Sequence, residues 1–206
     1  YQLPSAALRP VTDATTLARL PADRDKALQL FEIDLARVSK EFPALEPRGM
    51  PTPYENAWPE LFSNGKPLPL SAWPNGAGYA KGFKPTKIIS SGTTSKVNAG
   101  GAAASGNTAA GNSMTFGVTN ERVSRWRNAM TSYNADVWMG GHWFWDWADD
   151  LLPVTAIDAG GIITIGRRHS YGIGPHVNLH VYNLVEEMDT AGEYAVEPAA
   201  KRMLVL

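Results

Sequence analysis

Nine prolines fall between residues 41 and 85: Pro43, Pro47, Pro51, Pro53, Pro59, Pro67, Pro69, Pro74 and Pro85. Each fixes φ and removes a backbone donor, so no long helix can run through this stretch. What remains is short strands and turns. Glu60-Leu61-Phe62 runs into Asn64-Gly65, a strong tight-turn dipeptide, and Pro67-Leu68-Pro69-Leu70 leads out, which predicts a small hairpin. Trp73-Pro74-Asn75-Gly76 predicts a second turn. Residues 90–113 follow and are almost entirely Ser, Gly, Thr, Ala and Asn. Gly100, Gly101, Gly106 and Gly111 interrupt any helix the alanines would support, so a mobile surface loop is expected, with a lid or partner-contact segment as the alternative.

Helical spacing is confined to two places. From Asp13 to Lys40 the pattern reads as helical: Asp13 or Thr15 caps a short turn around Leu17 and Leu20. After Pro21, the residues Ala27, Leu30, Phe31, Leu35 and Val38 recur at near-helical intervals. A second short helix starts near Asn120, with Arg122, Trp126 and Met130 at helical spacing. The rest reads as strands. Met114–Val118 alternates, and Val154–Ile157 and Ile162–Ile165 form a hairpin across Asp158-Ala159-Gly160-Gly161. Val177–Leu184 is a strand or a short helix, and Tyr194–Glu197 pairs with Met203–Leu206 across Pro198–Lys201.

Composition excludes several function classes. The chain has 19 Lys and Arg against 20 Asp and Glu, a formal charge of -1, so it has no basic excess to neutralise a phosphate backbone, and nucleic acid is not an expected partner. No apolar run approaches the roughly 20 residues of a membrane span. The absence of Cys removes disulfides, thiolate metal sites and a Cys nucleophile. The chain opens on Tyr1 and closes on the apolar run Arg202-Met203-Leu204-Val205-Leu206. From that run alone, a piece of a longer structure and a C-terminal edge strand of a complete domain are both open readings.

The densest chemistry lies in Trp138-Met139-Gly140-Gly141-His142-Trp143-Phe144-Trp145-Asp146-Trp147. Strand alternation would place Trp143, Trp145 and Trp147 on one face and Phe144 and Asp146 on the other. Exposed indoles can stack on the apolar faces of sugar rings; a packed aromatic core is the alternative. Asp146, Asp149 and Asp150 could serve glycoside hydrolysis as a carboxylate pair or hold Ca²⁺ through oxygen ligands, and could equally be a solvated turn. His142, His169, His176 and His180 raise the question of a metal, and His176 and His180 would share a helix face, yet the HExxH pattern is absent, so no metal site is assigned and a His donating to a hydroxyl or carboxylate in a sugar cleft is the alternative. Arg167-Arg168-His169-Ser170-Tyr171-Gly172 joins cations to a Tyr. It could bind an acidic sugar through Arg–carboxylate pairing, place a Tyr base for a lyase, or pair with Glu186 and Glu187. Asp189-Thr190-Ala191-Gly192 reads as a structural turn in which Asp accepts from backbone N–H groups.

Three stretches occur in a recognisable order. They are Glu60-Leu61-Phe62-Ser63-Asn64-Gly65-Lys66-Pro67-Leu68 with Ala72-Trp73-Pro74-Asn75, then Trp138–Trp143 with Trp147-Ala148-Asp149, then Glu186-Glu187-Met188-Asp189-Thr190-Ala191-Gly192-Glu193-Tyr194. Together they resemble the N-terminal portion of large secreted right-handed parallel β-helix proteins of bacterial polysaccharide breakdown, glycoside hydrolase family 141 and its relatives. The likeness runs from about Arg9 to Leu206, apart from the Gly/Ala/Ser stretch. It departs from the pattern at Ala191, where the family has Pro, and at the turn Glu197-Pro198.

The resemblance implies a mainly β fold: a β-sandwich-like module with short helices, attached to edges of a right-handed parallel β-helix. Residues 1–50 would form a helical and β-helix-edge segment, 51–185 the mostly β module carrying loop 90–113, and 186–206 the return strands into the β-helix. The implied function is part of a secreted or periplasmic polysaccharide-degrading enzyme, a glycoside hydrolase, with this chain shaping the cleft and the catalytic carboxylates on a second polypeptide. A non-catalytic carbohydrate-binding or assembly module and part of a polysaccharide lyase are the alternatives. The expected ligand is a polysaccharide or oligosaccharide, met by Trp143, Trp145, Trp147, Arg167, His169 and Tyr171, with no cofactor other than Ca²⁺ in prospect.

Overall fold

The computed structural model describes residues 7–38, 44–50, 58–76, 81–91 and 114–206. The Gly/Ala/Ser stretch at 92–113 and three of the nine prolines, Pro43, Pro51 and Pro53, lie outside the described residues. In chain order the elements are β1 (Leu8–Pro10), α1 (Ala14–Leu17), β2 (Phe31–Asp34), β3 (Arg48–Gly49), β4 (Phe62–Ser63), β5 (Lys66–Pro67), β6 (Ala72–Trp73), β7 (Lys87–Ser90) and β8 (Met114–Gly117). They continue with α2 (Arg122–Tyr133), β9 (Trp138–His142), β10 (Asp149–Ile157), β11 (Ile162–Ile165), β12 (Asn178–Tyr182), β13 (Tyr194–Glu197) and β14 (Arg202–Val205). The fold is mainly β, and every ladder between these strands is antiparallel.

An eight-stranded sheet runs β6-β12-β9-β10-β11-β8-β7, with β3 also on β10. Strand β10 is its spine: Asp149–Pro153 pairs with β9, and Val154–Ile157 pairs with β11 across an irregular register. The expected hairpin across Asp158–Gly161 forms because Asp158 Oδ1 accepts from the N–H groups of Gly160 and Ile162, both at 2.8 Å. Helix α2 sets Val123, Trp126 and Ala129 into the core of this sheet, beside Phe116, Leu152 and Leu179.

A four-stranded sheet runs β1-β2-β14-β13. Its β13–β14 hairpin is the one the sequence predicts, and alternation along it buries both faces. Ala195 and Leu204 face a cluster with Leu20, Leu30, Val185 and Met188, while Tyr194, Val196, Met203 and Val205 face Ile33 and Leu35. The predicted Asn64-Gly65 hairpin is the two-stranded β4–β5 ribbon, and its Leu61 and Leu68 pack against the second of these clusters.

The helical reading of Asp13–Lys40 is corrected. Among the described residues of that span only Ala14–Leu17 is α-helical, capped by Asp13, whose carboxylate accepts from Thr16 N–H at 2.8 Å, and Leu35–Arg37 adds a single 3-10 turn. Phe31–Asp34 is a strand, with Ile33 opposite Leu8 on one side and Met203 on the other. Two flanking ladders supply backbone partners and bury Ile33, and together they outweigh an apolar spacing that also fits a helix. Val177–Leu184, left open by the sequence, contains strand β12, so His176 and His180 share no helix face.

Candidate functional site

Strand β9 ends at His142, and residues 143–148 form the connection to β10. The preceding Gly141 has φ 143°, and a Cβ there would collide with the Asn178 carbonyl of β12, so only glycine lets the two strands pair this closely. Beyond His142 the strand alternation stops, and with it the expected common face of three indoles. Trp143 turns inward and is fully buried. Its Nε1–H donates to Asp150 O at 2.9 Å and its ring meets Phe116 edge-on at 6.2 Å. Trp145 and Trp147 turn outward and are 37% and 57% exposed.

The second half of the site is the loop from Gly166 to Val177. Gly174 N–H donates to Trp143 O at 2.9 Å, and its α-carbon lies so close under the Phe144 ring that a Cβ would clash with it. The two loops are thereby held side by side, and their rings form a continuous strip. His176 stacks on Trp145 at 6.0 Å, Trp145 meets Phe144 at 4.8 Å, Phe144 approaches Tyr171 at 6.3 Å, and Tyr171 meets Trp147 at 5.8 Å. Phe144 and His176 join the strip, although neither is among the residues expected to meet the ligand: alternation assigns Phe144 to the opposite face, and His176, one of the four histidines, has no assigned role.

His169 lies beneath Tyr171, ring to ring at 5.7 Å, and is fully buried. Its Nδ1 accepts from Tyr171 N–H at 3.2 Å, and the backbone N–H of His169 donates to the Met114 sulfur at 3.4 Å. Burial, aided by the charge of Arg168 and opposed by a backbone bond to Gly172 and the charge of Asp149, brings its pKa down to about 4. His169 is therefore a neutral support for the strip at pH 7. Arg168 Nε donates to Ser91 O at 3.3 Å, and burial lowers its pKa. Arg167 is half-buried beside it in sequence.

The acidic candidates divide. Asp146 is exposed between Trp145 and Trp147, whereas Asp149 is half-buried and Asp150 fully buried on β10, where consecutive residues face opposite ways. Among the described residues no group of three His, Asp or Glu side chains is placed to hold a metal ion. Glu186 and Glu187 do not meet the Arg167–Arg168 loop. Glu186 is bound by Arg19 at 2.7 Å, and Glu187 by Arg122 and by Trp126 Nε1 at 2.6 Å. The turn before β13 is capped by Glu193 rather than by Asp189: Glu193 Oε2 accepts from the N–H groups of Asp189 and Thr190 at 2.8 and 2.9 Å. His180 is buried in the sheet, its Nδ1 2.7 Å from Pro74 O. No helix among the described residues is long and apolar enough to cross a membrane.

No family model matches the chain, and no curated protein matches it. A solved structure of a glycoside hydrolase is similar to it with a TM-score of 0.45 and 13% identity, over 85% of this chain. The matched part is 26% of that structure's length, so this chain spans about a quarter of it.

Proposed function

We propose that this chain is a carbohydrate-binding module of a polysaccharide-degrading protein, and that its binding face is the aromatic strip of Trp145, Trp147 and Tyr171. The observation that carries this reading is the outward orientation of two indoles within one line of touching rings. Large apolar side chains with no packing role on their outer faces cost free energy in water unless a ligand covers them. Pyranose rings present flat C–H faces that suit an indole, and their hydroxyls keep the rim hydrated.

In this proposal the chain works beside a glycoside hydrolase active centre whose carboxylates belong to the coils of a parallel β-helix, carried on a neighbouring polypeptide and exported with it. The three ordered sequence motifs support that placement. Trp143 and His169 act from beneath the surface, the first by anchoring the β9–β10 connection and the second by supporting Tyr171.

Affinity electrophoresis through gels containing soluble plant or bacterial polysaccharides tests the reading. The native chain should be retarded by at least one glycan. Trp145→Ala with Trp147→Ala should abolish the retardation while far-ultraviolet circular dichroism stays unchanged. Free migration of the native chain through every glycan, or retention undiminished in the double variant, would defeat the proposal.

A further inference from the structure

The strip is not one platform, because its two exposed indoles have different supports. Trp145 lies between Phe144 and His176, and Trp147 leans on Tyr171. Along the line of rings, Phe144 and Tyr171 separate the two indoles, joined by centroid steps of 4.8, 6.3 and 5.8 Å. Each indole, with its own supporting ring, can take the face of a separate pyranose. The surroundings carry both signs of charge. Asp146 sits between the indoles in sequence, and Asp149 and Arg168 act on His169 in opposite directions. Arg168 also spends its Nε on a backbone carbonyl. A uniformly anionic chain would meet Asp146 as well as any cation, so the balance of charge fits an uncharged ligand.

Resting on the carbohydrate-binding reading, we infer that Trp145 and Trp147 form two separate stacking subsites spanned by one linear, uncharged oligosaccharide. Binding at the first subsite makes the second encounter intramolecular, so affinity rises with chain length until both indoles are covered and then levels off. Either indole alone retains the affinity of a single subsite.

Isothermal titration calorimetry with neutral β-linked gluco-, xylo- and manno-oligosaccharides of increasing length, and with oligogalacturonides of matched length, tests the inference. The expected result is a rise of at least about tenfold in affinity from the monosaccharide to the plateau. Trp145→Ala and Trp147→Ala should each flatten that rise, and Trp→Phe at either position should restore part of it. Equal affinity for short and long oligosaccharides, or tighter binding of oligogalacturonides than of neutral chains, would overturn the inference while leaving carbohydrate binding intact. Absence of binding to any glycan, soluble or polymeric, would remove the underlying reading instead.

Discussion

His169 shows how one residue reports its surroundings through pH. Its folded-state pKa of about 4 lies below the ordinary histidine value of 6.5, because burial penalises the imidazolium. Between those values the unfolded chain binds a proton that the native chain refuses, so its contribution to stability is full above pH 6.5 and is lost as pH falls toward 4. The single-group limit is about 3 kcal/mol. Glu193 has the opposite sense: burial pushes its carboxyl up to about 7 against an ordinary 4.5, so its contribution is present below 4.5 and is lost as pH rises through 7. Urea unfolding at pH 4.5, 6 and 8 should therefore show His169→Phe with a shallower loss on the acid side and Glu193→Gln with a shallower loss on the alkaline side. Unchanged slopes in both variants would contradict these assignments. The chain names both residues, but nothing local in it distinguishes a buried imidazole from one exposed in a cleft.

At the scale of elements, a buried charge network adds to apolar packing and the β2–β14 ladder in tying the N-terminal segment to the return strands. Arg19, 6% exposed, is held by Glu186 at 2.7 Å and Glu197 at 2.6 Å, and its guanidinium lies 4.2 Å from the centre of the Tyr133 ring on α2. Arg202 continues the network from Glu197 to Glu32 on β2. Desolvation opposes the charge on Arg19, and the two glutamates outweigh it and raise its pKa. Arg19→Met strands the buried Glu186 carboxylate and leaves Glu197 to Arg202 alone, and a loss of about 3–5 kcal/mol in chemical denaturation is expected; a change under 1 kcal/mol would mean that water reaches the cluster. The region also shows why its secondary structure was misread. Phe31–Asp34 satisfies a helical spacing locally, and the ladders that make it a strand come from residues 8–10 and 202–205. By contrast, Asn64-Gly65 and Asp158–Gly161 were legible, since their turns are closed by residues within the turn itself.

For the whole molecule, Asn183 joins the two large sheets. Its side chain accepts from Val196 N–H at 2.7 Å and donates to Val196 O at 2.9 Å and to Asp136 O at 2.8 Å, so it stands in for a neighbouring strand along part of the outer edge of β13. Pro69 O and Ser71 N–H close the rest of that edge through Tyr194. Asn183→Ala leaves buried backbone groups without partners, at about 1–3 kcal/mol for each group. Thermal unfolding should then show a lower midpoint, with hydrogen exchange accelerated at Val196 before the β9–β12 ladder; equal exchange at both would show that the sheets do not part there. Short-range chemistry was thus enough to determine the mainly β character, the turns, the short helix α2 and the presence of an indole-rich segment, because period, proline and turn residues act within a few positions. Only the tertiary structure decided that Trp143 anchors the core while Trp145 and Trp147 face water, and that Phe144, Tyr171 and His176 line up with them. Those outcomes depend on how two connections some thirty residues apart are clamped together at Gly174 and Trp143, a contact that no local pattern encodes.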